Sequence, residues 1–303
     1  MQQNFSPDYS PFTLNNEALY QRWRDKKLAE HPQNIQDLLV EVKDPRALSK
    51  SEHGAILERA QRANMAIYVG GTGSDPDPQI PLALTQQFGL GEMNKNWLAD
   101  DTGLTSLTVV ENGMRKNYIP YTNKPINWHT DGYYNAPDKQ IHALNLHVVQ
   151  QAASGGENQL MDHEMAYLLL REKNPEFIRV LMMDDVMSIP AGTEPDGSVR
   201  PERPGPVFSI TNEGDLHMRY SARARNIHWS DDDRVSEAIA YLQQLLNDDK
   251  SSYVFSGRLE PGMGLISNNI LHNRAAFSDS AQNKRHYYRA RYFSRLAQTN
   301  LQF

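Results

Sequence analysis

A chain of 303 residues with 39% hydrophobic and 22% charged residues has ordinary globular composition and is long enough to bury a sizeable core. Its formal charge of −6, with no compensating Lys/Arg run, argues against nucleic acid as a partner. There is no cysteine, which excludes disulfides, thiolate metal sites, iron–sulfur clusters and cysteine nucleophiles, so any metal has to be held by His, Asp or Glu.

The stretch from Met1 to Phe12 is polar and lacks an apolar h-region, and no run approaches the roughly eighteen apolar residues of a membrane span. Neither a signal peptide nor a membrane partner is expected, and the cytoplasm is the expected location. The first fifty residues read as peripheral helices and turns, with Asn15 or Asn16 capping a segment through Trp23 and Leu28. Ser49-x-x-Glu52 is a capping box that opens a helix to about Asn64, and residues 65–69 follow as a strand.

Residues 70–81 carry Gly-Gly-Thr-Gly-Ser, but no Lys-Ser/Thr follows and no helix pattern opens there, so a phosphate loop is not expected. Short β-rich runs come next, at 104–110, 117–121, 143–150 and 157–161. Helical segments near 163–171 and 175–183 interrupt them, before strands at 206–211 and 216–221. Ser230-x-x-Asp233 reads as a second capping box, and Val235, Ile239, Leu242 and Leu246 form the apolar stripe of an amphipathic helix. Strands return at 253–259, 264–268 and 286–294. The pattern predicts a mainly β fold with peripheral helices, a double-sheet sandwich or jelly roll. One domain is expected over 1–303, with 1–64 mainly peripheral helices and 65–303 the core, carrying helical insertions near 163–183 and 231–247.

The most informative segment is Asn127-Trp128-His129-Thr130-Asp131-Gly132. In extended backbone, positions i and i+2 share a face, so His129 and Asp131 can converge on one ion. Two histidines with one carboxylate leave open positions for oxygen chemistry at a first-row metal. His-x-Asp alone is weak, since chance supplies it about 0.7 times in a chain of this composition. A distant histidine is needed, and His272, after the apolar run 264–271, is the best candidate.

At this point the chain resembles the Fe(II)- and 2-oxoglutarate-dependent dioxygenases of the taurine dioxygenase, γ-butyrobetaine hydroxylase and clavaminate synthase type, over roughly residues 104–295. Four parts match in order: Asn127-Trp-His-Thr-Asp131, Gly155-Gly156-Glu157-Asn158, Leu271-His272-Asn273-Arg274 and Arg285-His-Tyr-Tyr-Arg289. The resemblance implies a double-stranded β-helix core in which His129, Asp131 and His272 bind Fe(II). It places 2-oxoglutarate on Arg285 and Asn158, and substrate on Arg289, with Tyr133 and Asn127 as further contacts; Arg285 and Arg289 could exchange roles. A buried dicarboxylate needs a bidentate, permanently charged partner, which arginine provides.

Two departures stand out: Asn158 replaces the usual hydroxyl of the Gly-Gly turn, and Ser267-Asn268-Asn269 replaces the frequent Asp-Asn-Arg. The carboxylate of Asp131 implies hydroxylation rather than halogenation, because halogenating relatives have a small residue there. O2 is the implied co-substrate, and succinate and CO2 are the implied by-products. Arg274, Arg289 and Arg219 favour a small anionic or zwitterionic substrate such as an amino acid, sulfonate or betaine. A homo-oligomer is compatible with the peripheral N-terminal segment. His142, His147, His163, His228 and His286 read as structural histidines, and Tyr133 and Tyr134 as either pocket or core aromatics. Of Arg219, Arg223 and Arg225, two are expected to serve solvent or salt bridges. The alternatives are an iron oxygenase that uses no oxo acid, and a non-catalytic ligand-binding jelly roll.

Overall fold

The computed structural model describes residues 10–95, 103–193, 197, 199–223 and 227–301, apart from the side chains of Met114 and Asn117. Arg225 lies outside them. Two sheets organise the chain. The larger contains β1 (Leu39–Val42), β2 (Met65–Gly70), β3 (Thr105–Leu107), β5 (Ala143–Gln150), β8 (Met263–Ser267) and β10 (His286–Tyr292). Its order is β1-β2-β8-β5-β10-β3, parallel at β1/β2 and antiparallel elsewhere. The smaller sheet contains β4 (Ile126–His129), β6 (Asn158–Met161), β7 (Phe255–Gly257) and β9 (Leu271–Arg274), in the antiparallel order β7-β6-β9-β4.

Both sheets contribute to the core between them: Leu144, Leu146, Val148, Leu265 and Tyr287 come from the larger, Leu160 and Phe255 from the smaller. A second apolar layer covers the outer face of the larger sheet, where α2 (Lys50–Ala63) and α3 (Gln79–Gln86) set Ile56, Ala60 and Leu84 against Val40, Tyr68 and Ile266. A third packs α1 (Glu17–Glu30), α4 (His163–Lys173), α5 (Pro175–Leu181) and α6 (Asp233–Leu246) together.

Several local signals act as expected. Ser49 and Glu52 cap α2 reciprocally, Asn16 caps α1, and Asp162 caps α4 with His163 as its first residue. The stripe Val235, Ile239, Leu242 and Leu246 is buried on α6. Its cap is Asp232 rather than Ser230: three consecutive aspartates place a full negative charge nearer the helix dipole than the serine hydroxyl does.

Other expectations are corrected. Residues 117–121 form two 3-10 turns, Met114–Asn117 and Ile119–Tyr121, where Pro120 supplies helical φ and no ladder donor. A helix does open at Gln79 after the glycine-rich loop, too short to leave a clear period. The N-terminal segment supplies β1, an edge strand of four residues, besides its helices.

Of the histidines read as structural, His147 and His163 are buried in these layers and His228 is exposed, while His31, not singled out in the sequence, is buried as well. His147 stacks on Tyr68 with its Nδ1 3.0 Å from the tyrosine hydroxyl, and His31 stacks on Phe255 with neither ring nitrogen partnered. Burial pushes both pKa values down to about 4, from an ordinary 6.5. The native rings stay neutral while the unfolded chain takes up protons, so stability is lost as pH falls from 6.5 towards 4. We expect each ring to cost about 2 kcal/mol between pH 7 and pH 5. Urea midpoints at the two pH values check this, and His31→Phe should remove its share; an unchanged pH response in that variant would refute it.

Candidate metal centre

His129 and His272 stand 143 positions apart in the chain, yet they are direct cross-strand partners in the β4/β9 register. Their ring centroids lie 4.3 Å apart. Each Nδ1 lies against the carbonyl two residues upstream, 2.9 Å from Asn127 O for His129 and 3.0 Å from Ile270 O for His272. A carbonyl only accepts, so each Nδ1 carries the proton and each Nε2 keeps its lone pair for a metal. Burial, with His129 adding to it, pushes the His272 pKa down to about 4, so its ring is neutral at physiological pH.

Asp131 follows in the turn after β4. Gly132 takes φ +72° there, and a Cβ at that position would run into Ile141. The carboxylate Oδ1 sits 3.3 Å from His129 Nε2 and 4.0 Å from His272 Nε2. Ligand atoms of all three residues lie within 4.8 Å of one another, the one such cluster of three or more His, Cys, Asp or Glu among the described residues. Burial alone would raise the Asp131 pKa, but Arg289, the His129 contact, Arg291 and His272 outweigh it and hold the carboxyl well below the usual range. Its Oδ2 is buried with no hydrogen bond. Two imidazoles with their Nε2 atoms turned inward and a buried, ionised carboxylate form a donor set suited to a divalent first-row metal.

The backbone of Asp131 is fixed by Asn269, in left-handed conformation at φ 53°. Its side-chain oxygen accepts from Asp131 N at 2.8 Å, while its amide donates to Asp131 O at 2.9 Å and Ile141 O at 2.7 Å. The sequence marked this position only as a departure from a motif. Its signal was an asparagine able to occupy left-handed backbone and both donate and accept.

Four buried arginines approach this interior, and they differ in what they hold. Arg274 spends its donors on the carbonyls of Pro120, Thr122 and Lys124, which ties the segment leading into β4. Arg285 lies with its guanidinium 3.6 Å from the Tyr287 ring centroid and 5.2 Å from that of Phe277, its Nε unpartnered and no carboxylate in ion-pair contact among the described residues. Arg289 reaches Asp131 Oδ2 at 3.2 Å. Arg291 donates to the Tyr134 hydroxyl at 2.8 Å and to Asn94 Oδ1 at 2.7 Å. Arg219, read from the sequence as a pocket residue, gives its N–H groups to the carbonyls of Tyr133, Met187 and Arg203.

Gly155 and Gly156, at φ +74° and +82°, let the turn before β6 press against Ala276 and Phe277 and pass beside Arg285. Asn158 lies on the same face of β6 as the core residue Leu160, and its Nδ2 donates to Asn273 O at 2.8 Å. One of its two N–H groups is therefore already committed. Tyr133 is buried in the helical core, whereas Asn127 is exposed and reaches the centre through its carbonyl. No helix of the described residues is long and apolar enough to cross a membrane.

A profile of the family described as "Taurine catabolism dioxygenase TauD, TfdA family" matches residues 25–291. A uridine-5'-phosphate dioxygenase of an Amycolatopsis species is 26% identical over 280 residues, covering 85% of this chain and 97% of that protein. Among solved structures, the non-heme iron oxygenase OrfP in complex with Fe, succinate and (3S)-hydroxy-L-Arg superposes with a TM-score of 0.60 at 17% identity, over 93% of both chains. A taurine dioxygenase from Burkholderia xenovorans gives 0.53 at 18% identity, over 86% of this chain and 89% of that one. The likeness of fold extends over the whole matched length, and the family match covers nearly all of it: the chain belongs to the TauD, TfdA dioxygenase family.

Proposed function

We propose that this protein is an Fe(II)- and 2-oxoglutarate-dependent oxygenase that hydroxylates an unactivated C–H bond of a small anionic or zwitterionic metabolite. The observation that carries this reading is the convergence of His129, Asp131 and His272, with both Nε2 atoms directed to one point by their Nδ1 contacts. Bound iron and 2-oxoglutarate supply an oxidant able to break such a bond with O2, leaving succinate and CO2.

The chain's own residues prepare that chemistry. His129, Asp131 and His272 would hold the metal, and a three-residue donor set of this kind would leave it able to bind further ligands. Arg285, buried between two aromatic rings with an unpartnered Nε, would receive the distal carboxylate of 2-oxoglutarate, and the second N–H of Asn158 would assist. Arg289 faces the substrate side, with Tyr133 shaping the wall behind the turn and Asn127 fixing the orientation of His129. One relative is named for a small charged metabolite, uridine-5'-phosphate, and a structural neighbour was solved with another, hydroxyarginine, which supports the substrate class.

The two sheets are read as the walls of a double-stranded β-helix, within a single domain over 1–303 that works in the cytoplasm. Anaerobic titration of 2-oxoglutarate into the Fe(II) protein tests the reading. A visible charge-transfer band saturating at one equivalent is the expected result; an iron-binding protein without that band would be an oxygenase of another kind.

A further inference from the structure

Arg289 and Arg291 are two residues apart on β10, so their side chains leave the strand on the same face, about 7 Å apart along it. That face is turned to the metal centre, since Arg289 touches Asp131 and the charge of Arg291 helps to keep Asp131 ionised. Arg291 is 3% exposed. Its two contacts, the Tyr134 hydroxyl and the Asn94 side-chain oxygen, are both neutral, and no carboxylate among the described residues pairs with it. Burial works against the charge of Arg291, but Tyr134 and Asp131 outweigh it, so the guanidinium stays charged and the carboxylate that favours it is Asp131. Tyr134, by contrast, is 38% exposed and sits at the rim of the site.

A charge balance then follows from the oxygenase reading, on which this step rests. The metal's two charges are matched by Asp131 and by the proximal carboxylate of 2-oxoglutarate, and the distal carboxylate is matched by Arg285. Once a metal takes the charge of Asp131, Arg289 loses its counter-ion. Arg274 has both terminal nitrogens on backbone carbonyls and keeps only its Nε unpartnered. Two neighbouring guanidinium groups are left for the substrate.

We infer that Arg289 and Arg291 together receive one doubly charged group, so that the substrate is a phosphate monoester, whose oxygen displaces the Tyr134 hydroxyl from Arg291. Planar guanidinium forks match phosphate oxygens bidentately, and two of them satisfy a dianion better than a sulfonate or a lone carboxylate.

The test compares methyl phosphate with methyl sulfate, anions of the same shape carrying two charges and one at pH 8. Each is titrated calorimetrically into the anaerobic protein loaded with Fe(II) and 2-oxoglutarate. Methyl phosphate is expected to bind at least tenfold tighter. Arg291→Gln should weaken it at least tenfold and erase the preference, while the 2-oxoglutarate band and one equivalent of iron are retained. If that variant does not fold, Arg291→Lys, which keeps the charge and loses the fork, should keep the preference with severalfold weaker binding. Tyr134→Phe, which removes the displaced hydroxyl, should tighten methyl phosphate severalfold. Equal affinity for the two anions, no binding of methyl phosphate at millimolar concentration, or indifference to the Arg291 substitutions overturns the inference. Loss of the 2-oxoglutarate band in the unsubstituted protein overturns the oxygenase reading instead.

Discussion

Replacing Asp131 by alanine is expected to abolish succinate formation and to weaken Fe(II) binding by about a hundredfold or more, because two unfavourable changes coincide. One ligand is lost, and Arg289, 9% exposed in the unsubstituted protein, is left with no carboxylate in ion-pair contact among the described residues, beside the point where a dication must bind. The second effect separates from the first. At an effective dielectric constant near 20, two positive charges several ångströms apart repel by a few kcal/mol, which discourages the metal beyond the loss of one oxygen. Adding Arg289→Gln to Asp131→Ala should therefore recover about tenfold in iron affinity while activity stays absent. Equilibrium dialysis on the two single variants and the double variant gives the coupling. Strict additivity would mean that Arg289 has no electrostatic hold on the metal site.

That arrangement was only partly legible in the sequence. His129-Thr130-Asp131 is local, and its period-2 geometry can be read from three letters. The partnership with His272 depends on an antiparallel register between strands separated by more than a hundred residues, and only the apolar run before His272 and the resemblance to a family pointed to it. The long apolar or strongly capped elements, β5, α2 and the stripe of α6, were readable because each carries its own period. β1 was missed because it is four residues long and owes its existence to pairing with β2.

Among the arginines the sequence shows charge but not what the charge meets. Arg219 and Arg274 read as pocket cations, yet backbone carbonyls absorb their donors. Arg291, which lies in the same late cluster of arginines, has no role assigned from the sequence, although its parity with Arg289 is available from spacing. Asn269 shows the converse case, a motif departure whose purpose appears only when its side chain brackets the Asp131 backbone.

Arg285→Gln is expected to raise the apparent KM for 2-oxoglutarate by about two orders of magnitude, since truncating one partner of a buried charge pair costs about 2–5 kcal/mol. The same substitution should not destabilise the ligand-free protein. Breaking a buried ion pair normally leaves a stranded charge, but in the ligand-free protein Arg285 is itself that charge, 4% exposed and paired with no carboxylate among the described residues. Burial, the largest influence, lowers its pKa against the opposing effects of Tyr287 and Asp279, which is the signature of a cation short of compensation. Replacing it with a neutral amide of similar reach removes the desolvation cost and keeps some packing against Phe277 and Tyr287. Thermal melts of the two proteins should therefore cross. Without 2-oxoglutarate the variant melts no lower than the unsubstituted protein, and with saturating 2-oxoglutarate and Fe(II) only the unsubstituted protein gains several degrees. A ligand-free variant that melts well below its parent would mean that Arg285 holds the fold together rather than waiting for a carboxylate. The predicted crossing is the thermal form of a trade between stability and function, in which an uncompensated charge is kept because the cosubstrate completes it.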